Sequence, residues 1–317
     1  PLFVLAQIPS AEVEYEADKP EPTLVFSEIW AYLMYNEEAF LLPDSPITDI
    51  AYFSARLSVK GELYGSPPVD RLSKHPARKH LVLAEVSNQA LTHFVLAPEF
   101  GLRDKLVADL AAAATAYQGV VVDLELVPSY DAENFITFLR LLKSAIGKRM
   151  LSVCVPARVK RIADAYEYTA IAAIADRVFV MAYDEHWSTS GPGPVASLAW
   201  SERIAAYALA NVPGSKLIMG MPFYGRCWGD SNADSAYKHS STLKLLAEKG
   251  TVIGRDEEGI PYAQFSVQVN YILHYDDAFS TRRRGEIYRR LGVIMVGFWR
   301  LGQEDADIWK MLRIGPR

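Results

Sequence analysis

The 317-residue chain has only two cysteines, Cys154 and Cys227. That is too few for a disulfide framework, and they form no CxxC metal pair. Cys154 lies in the apolar run LSVCV and reads as a core residue; the sequence leaves a bridge to Cys227 open. No apolar run approaches the ~18 residues that a membrane-spanning helix needs. HExxH, GxSxG and GxxxxGK[ST] are all missing, and no glycine-rich phosphate turn follows the first strand-like run. The six histidines are scattered, with His186 and His239 far apart, which argues against a zinc site. No cofactor is expected. Long basic blocks are absent too, and the formal net charge is −5. Nucleic acid is therefore not an expected partner. The one basic cluster, Arg282-Arg283-Arg284, sits in the amphipathic stretch TRRRGEIYRRLG and reads as the solvated face of a helix rather than a phosphate or membrane patch.

Half of the residues are hydrophobic and 11% are aromatic, enough to fill a large core and line a cleft. Residues 1–22 are acidic and proline-punctuated and read as an arm. The chain starts PLFVLAQIPS, without Met, as expected of a processed or trimmed N-terminus, so an export signal need not be in view. Residues 23–317 then carry eight β-rich runs, at 24–33, 49–57, 79–87, 119–126, 150–157, 176–184, 216–225 and 292–302. Helical patterns lie between several of them, such as AENFITFLRLLKSAIG and LAWSERIAAYALAN, and EDADIWKMLR follows the last. Mostly apolar strands with intervening helices predict a parallel sheet covered on its outside. Eight such units predict an α/β fold of the (β/α)8 TIM-barrel type, in preference to a doubly wound sheet. The connection between strands seven and eight is far longer than usual. It reads as a small α+β insertion of about 230–277 on the rim where barrel sites lie.

The fourth run, GVVVDLEL, places two acids in an apolar strand. Alternation puts Val120, Val122, Leu124 and Leu126 toward the helices, and Val121, Asp123, Glu125 and Val127 inside the barrel. Buried carboxylates are costly, and close like charges raise a pKa, which suits a general acid. The same pattern is equally open to a structural ion-pair network. The sixth run ends MAYDEHW, where Met181 and Tyr183 share a face and Asp184 is placed to turn into the mouth. Tyr224 in PFYGR and Trp299 in GFWRLG end the seventh and eighth runs. Any one of these aromatics could be rim packing; several at one barrel end suit a sugar cleft.

GVVVDLE resembles the strand-four signature DGxDxDxE of glycoside hydrolase family eighteen, the chitinase family. Within that family it is more similar to the bacterial branch of spore-germination and cortex-lytic N-acetylglucosaminidases. MAYDEHWSTSGPGPVASLAW, KLIMGMPFYGRCW and YDDAFSTRRRGEIYRRLGVIMVGFWRLGQED are similar to that branch in order and spacing, over about residues 24–314. The resemblance implies a glycosidase that cleaves β-1,4 linkages of an N-acetylglucosamine polymer, peptidoglycan above chitin, by retaining, substrate-assisted catalysis. It implies Glu125 as general acid/base, Asp123 orienting the substrate acetamido group, and Tyr183 bonding its carbonyl. Trp299 would floor the pocket, with Met181, Asp184 and Tyr224 lining it. It also implies an oligosaccharide or peptidoglycan substrate and action outside the cytoplasm: secreted, periplasmic or at the cell wall. Two positions depart from the signature: Gln118 replaces the first acid, and Val121 stands where a polar neighbour of Asp123 is expected. Val has no hydrogen-bonding group. The alternative is therefore a weak or inactive chitinase-like carbohydrate-binding protein.

Overall fold

The computed structural model describes residues 22–229, 233–266 and 270–315. The arm expected at 1–22 thus lies outside the described residues, apart from Pro22. Eight strands form the barrel: β1 (Glu28–Met34), β2 (Asp49–Leu57), β3 (Arg78–Glu85), β4 (Gly119–Leu124), β5 (Met150–Pro156), β6 (Arg177–Met181), β7 (Leu217–Pro222) and β8 (Met295–Trp299). Each pairs in parallel with the next, and β8 pairs with β1 from Met295↔Glu28 to Phe298↔Ala31, which closes the barrel. The helices α1 (Gln89–Leu96), α2 (Leu102–Ala113), α3 (Ala132–Ile146), α4 (Tyr168–Ile174) and α5 (Leu198–Asn211) follow β3 to β6 in order. The first two crossovers carry short 3-10 turns, Glu38–Phe40 and Val69–Leu72, in place of helices, and the second also a two-residue strand, Leu63–Tyr64. EDADIWKMLR, expected as a helix, is a 3-10 segment (Ala306–Met311) leading into a strand, Leu312–Ile314, that pairs with Leu24–Phe26.

Alternation along the strands makes two separate cores. Val120, Val122 and Leu124 of β4 face outward and pack with Phe135, Phe138 and Leu139 of α3. Val121 faces inward with Trp30, Tyr32 and Phe179. The Phe179 ring fills the middle of the barrel because two glycines stand beside it. A Cβ on Gly297 would lie 2.2 Å from its ring, and one on Gly220 would lie 2.8 Å away. These glycines pair across β7 and β8.

At the N-terminal end, the interior holds charged groups at the first residues of the strands. Arg78 binds both oxygens of Asp49 at 2.7 Å and also Glu28 at 2.8 Å. Arg177 binds the two oxygens of Glu28 at 2.7 and 3.0 Å, and Trp30 Nε1 donates to Glu28 at 2.9 Å. His80 lies 2.7 Å from Asp49. Burial pushes the Glu28 carboxyl upward, but the bonds from Arg177, Arg78 and Trp30 outweigh it and hold the group at about 2.

The chain between β7 and β8 forms a five-stranded sheet in the order Ala233–Lys238, Tyr224–Gly229, Asn270–His274, Pro261–Ser266, Gly254–Arg255, with α6 (His239–Lys249) against it. Its strand Tyr224–Gly229 begins before residue 230, so PFYG is not the end of β7, which stops at Pro222. Cys227 belongs to this sheet's own small core and Cys154 to the barrel interior; both thiols are free. The reading of Arg282-Arg283-Arg284 as a solvated face is corrected. Of these three arginines in α7 (Ala278–Arg290), only Arg283 is exposed. Arg284 is wholly buried and binds Asp276 at 2.9 Å, while Arg282 donates to the Pro22 carbonyl. The helix is covered on two sides, so alternate arginines are both enclosed, each with an acceptor. Among the described residues no helix is long and apolar enough to cross a membrane.

Candidate active site

The C-terminal ends of β4, β6 and β8, with the first residue of the inserted sheet, gather all seven residues singled out by sequence at one mouth. Asp123 is the penultimate residue of β4, nearly wholly buried and facing inward. Glu125 follows the end of β4, where its backbone N–H still donates to the Glu85 carbonyl of β3 at 2.9 Å. Then the chain turns. Leu126 takes φ +53 and is exposed, and Val127 joins the outer core. The alternation expected for 126 and 127 thus fails, because the left-handed residue ends the strand. The Tyr166 hydroxyl fixes this turn, donating to the Leu124 carbonyl at 2.7 Å and accepting from Val127 N–H at 3.0 Å.

A second such turn ends β6. Tyr183 packs against the inner cluster, and Asp184 follows at φ +61. Asp184 accepts from the Tyr224 hydroxyl at 2.6 Å and from Arg226 at 2.9 and 3.0 Å. The Tyr183 and Tyr224 rings meet edge to face at 6.3 Å. Trp299 ends β8 with its ring 5.2 Å from Tyr32 and 4.9 Å from Phe53, and Met181 borders the same cluster. Of the three non-glycine residues with positive φ among the described residues, two directly follow a member of this group. Left-handed non-glycine backbone costs free energy and concentrates at functional sites.

The electrostatics are unlike those of the opposite barrel end. Neither Asp123 nor Glu125 has a cationic partner among the described residues. Burial pushes Asp123 up to about 6, with a hydrogen bond from Cys154 pulling the other way. Burial, then the charges of Asp123 and Asp184, push Glu125 up to about 7. Burial also raises Tyr32, Tyr183 and Cys154, each further raised by Asp123. These groups stay protonated at neutral pH and can only serve the carboxylate as donors. Asp123 Oδ1 is buried with no donor among the described residues.

Cys154 is the residue that reading by sequence missed. Asp123 and Cys154 continue the β4–β5 register one step beyond Val122↔Val153, so they are level on adjacent strands and both face inward. The Cys154 sulfur also lies 2.9 Å from the Tyr32 hydroxyl. The polar neighbour lacking at Val121 is therefore supplied from β5. The only sequence signal is that Cys154 shares a strand face with Ser152. Gln118 lies at the other end of β4, where its side chain accepts from Lys79 N–H at 2.8 Å, remote from this chemistry.

The fold and parts of the sequence are shared with known proteins. The putative sporulation-specific glycosylase YdhD of Bacillus subtilis is 29% identical over 58% of this chain, which spans only 47% of that relative's length. The cortical fragment-lytic enzyme of Bacillus anthracis is 22% identical over 84% of this chain and 67% of its own. The crystal structure of the Bacillus cereus spore cortex-lytic enzyme SleL superposes with a TM-score of 0.83 at 20% identity, covering 92% of this chain and 75% of that one. A family model described as Glycosyl hydrolases family 18 matches residues 93–304, more than half of the chain and a span that contains both acids, Tyr183 and Trp299. The chain belongs to glycosyl hydrolase family 18.

Proposed function

We propose that the chain cleaves β-1,4 linkages after N-acetylglucosamine in peptidoglycan, by retaining, substrate-assisted catalysis. The observation that carries this reading is the pair Asp123 and Glu125: two acids at the barrel mouth, both raised, with no cationic partner among the described residues to hold them ionised. Glu125 gives its proton to the glycosidic oxygen as the C1–O bond breaks. The substrate's own acetamido oxygen attacks C1 and forms an oxazolinium ion, so no enzyme carboxylate need attack the sugar. Glu125, now a carboxylate, takes a proton from the water that opens that ion. Asp123, through its unpartnered oxygen, accepts the acetamido N–H and balances the positive charge. Tyr183 bonds the acetamido oxygen, Trp299 floors the sugar, and Met181, Asp184 and Tyr224 line the pocket. Such prepositioned donors and charges act most strongly in a dry site.

The choice of peptidoglycan rests on the cortex-lytic relatives, and action outside the cytoplasm follows from that polymer. A non-catalytic sugar-binding protein is the other reading, and Val121 is the feature that speaks for it. Incubating purified sacculi with wild type and Glu125→Gln, followed by mass spectrometry, separates them. New N-acetylglucosamine reducing ends from wild type alone are expected. Tight binding without such ends from wild type would overturn the enzyme.

A further inference from the structure

A groove of about 340 Å³ opens beside the acid pair and has no part in the chemistry above. It lies where β2 overruns the barrel and folds back, pairing Arg56 with Tyr64 and Leu57 with Leu63. Phe53 lines it and meets the Trp299 ring edge to face at 4.9 Å. Ala84 lines it too and pairs across the sheet with Asp123, while the next residue, Glu85, receives the Glu125 N–H. The groove thus borders the reacting centre on the β2–β3 side.

Its lining has two unsatisfied groups, Arg56 and Ser54, and one exposed aromatic, Tyr64. Arg56 is exposed and has no hydrogen bond or ion pair among the described residues. The other charge, Glu85, is spent locally: its Oε1 accepts from Ser87 N–H at 3.0 Å and Asn88 N–H at 2.8 Å, at the start of α1. The Ser54 hydroxyl is buried and has no hydrogen-bond partner among the described residues. Tyr64, across the hairpin from Arg56, is 51% exposed. In contrast, Arg226 on the same rim is bound to Asp184, and Arg300 to Glu37. A free guanidinium beside an aromatic face, in a chain of net charge −5, fits a sugar that carries a carboxylate.

We infer that this groove holds the sugar next to the one being cleaved, and that Arg56 recognises a carboxylate on that sugar's substituent. This deepens the peptidoglycan reading and rests on it, since chitin has no carboxylate. The carboxylate could be the lactyl group of the sugar itself or lie on an attached peptide. The test uses Glu125→Gln, which binds without turnover, with and without Arg56→Ala or Arg56→Lys. Three glycans of equal length are titrated: peptide-bearing, peptide-stripped, and neutral chito-oligosaccharide. Losing a charge-assisted bond predicts about 10- to 100-fold weaker binding of the anionic glycan for Arg56→Ala, with partial retention in Arg56→Lys. That loss should exceed any loss on the neutral glycan at least tenfold and shrink with added salt. A loss on the peptide-stripped glycan assigns the lactyl group; a loss confined to the peptide-bearing glycan assigns the peptide. Equal losses on anionic and neutral glycans, or none, overturn the inference. Failure of wild type to cut sacculi overturns the proposed activity, and the binding series still reads Arg56. If no glycan binds while wild type cuts sacculi, the inference falls and the proposed activity stands.

Discussion

The barrel interior buries acids at both ends, and the two ends hold them in opposite states. At the N-terminal end, Glu28 and Asp49 are wrapped by Arg78, Arg177, His80 and Trp30, and Glu28 is held at about 2. At the C-terminal end, Asp123 and Glu125 are surrounded by apolar groups, hydroxyls and a thiol, and stand at about 6 and 7. Burial pushes every one of these shifted groups upward; cations outweigh it at Glu28, while neighbouring carboxylates add to it at Glu125. The paired end is a structural girdle, since Glu28 stays ionised and both carboxylates are occupied by hydrogen bonds. The unpaired end keeps a proton that can be exchanged near neutral pH, which is what acid catalysis uses.

Each end of the barrel can be disrupted independently of the other. The largest expected effect is at the mouth. Glu125→Gln should lower turnover of sacculi about 10³-fold, within the range for general acid–base groups, while glycan binding persists. Turnover near the wild-type rate would assign the proton to another group. At the other end, Glu28→Gln leaves Arg177 and Arg78 short of a buried anion and should cost about 3–5 kcal/mol in denaturant unfolding. The Glu28 carboxyl is depressed in the fold, so its contribution is present above about 4.5 and lost as pH falls toward about 2. A Glu28→Gln protein as stable as wild type at pH 7 would mean the girdle is not structural.

The sign reverses for Glu125. Its folded value lies above the unfolded one, so wild-type stability declines as pH rises from about 4.5 to about 7 and is then level. Glu125→Gln should therefore be more stable than wild type at pH 8 by roughly 2 kcal/mol, after allowing for solvent screening, and equal to it at pH 4. Thermal unfolding at the two pH values measures this. A variant less stable at pH 8 would show that Glu125 has a stabilising partner.

The two ends were not equally legible in the sequence. Asp123 announced itself because period-two alternation in an apolar strand gives an acid only one place to go. Glu125 followed, although the reading ran two residues past the true strand end, since nothing in the local pattern shows that Leu126 adopts positive φ. The girdle passed unnoticed: Glu28 and Arg177 are 149 positions apart and meet only through barrel closure. Cys154 was read as filler for the same reason, because its proximity to Asp123 depends on the β4–β5 register. The buried arginines of α7 looked solvated, since an amphipathic pattern cannot reveal that a helix is covered twice.

The smallest effect concerns that thiol. Cys154→Ala removes the bond that pulls Asp123 downward, so Asp123 should rise further. The acid limb of the activity profile should move to higher pH, with about a tenfold loss of turnover, and Cys154→Ser should recover part of it. An acid limb that stays in place in both variants would leave Val121 uncompensated.

If the acid pair without cationic partners among the described residues does the chemistry, the pH dependence of kcat/KM on muropeptide glycans reports both of its members. The account predicts a bell with limbs near pH 6 and 7, belonging to the Asp123–Glu125 pair jointly, with cleavage falling as pH rises past the upper limb. A rate that holds level from pH 6 to pH 9 would contradict it.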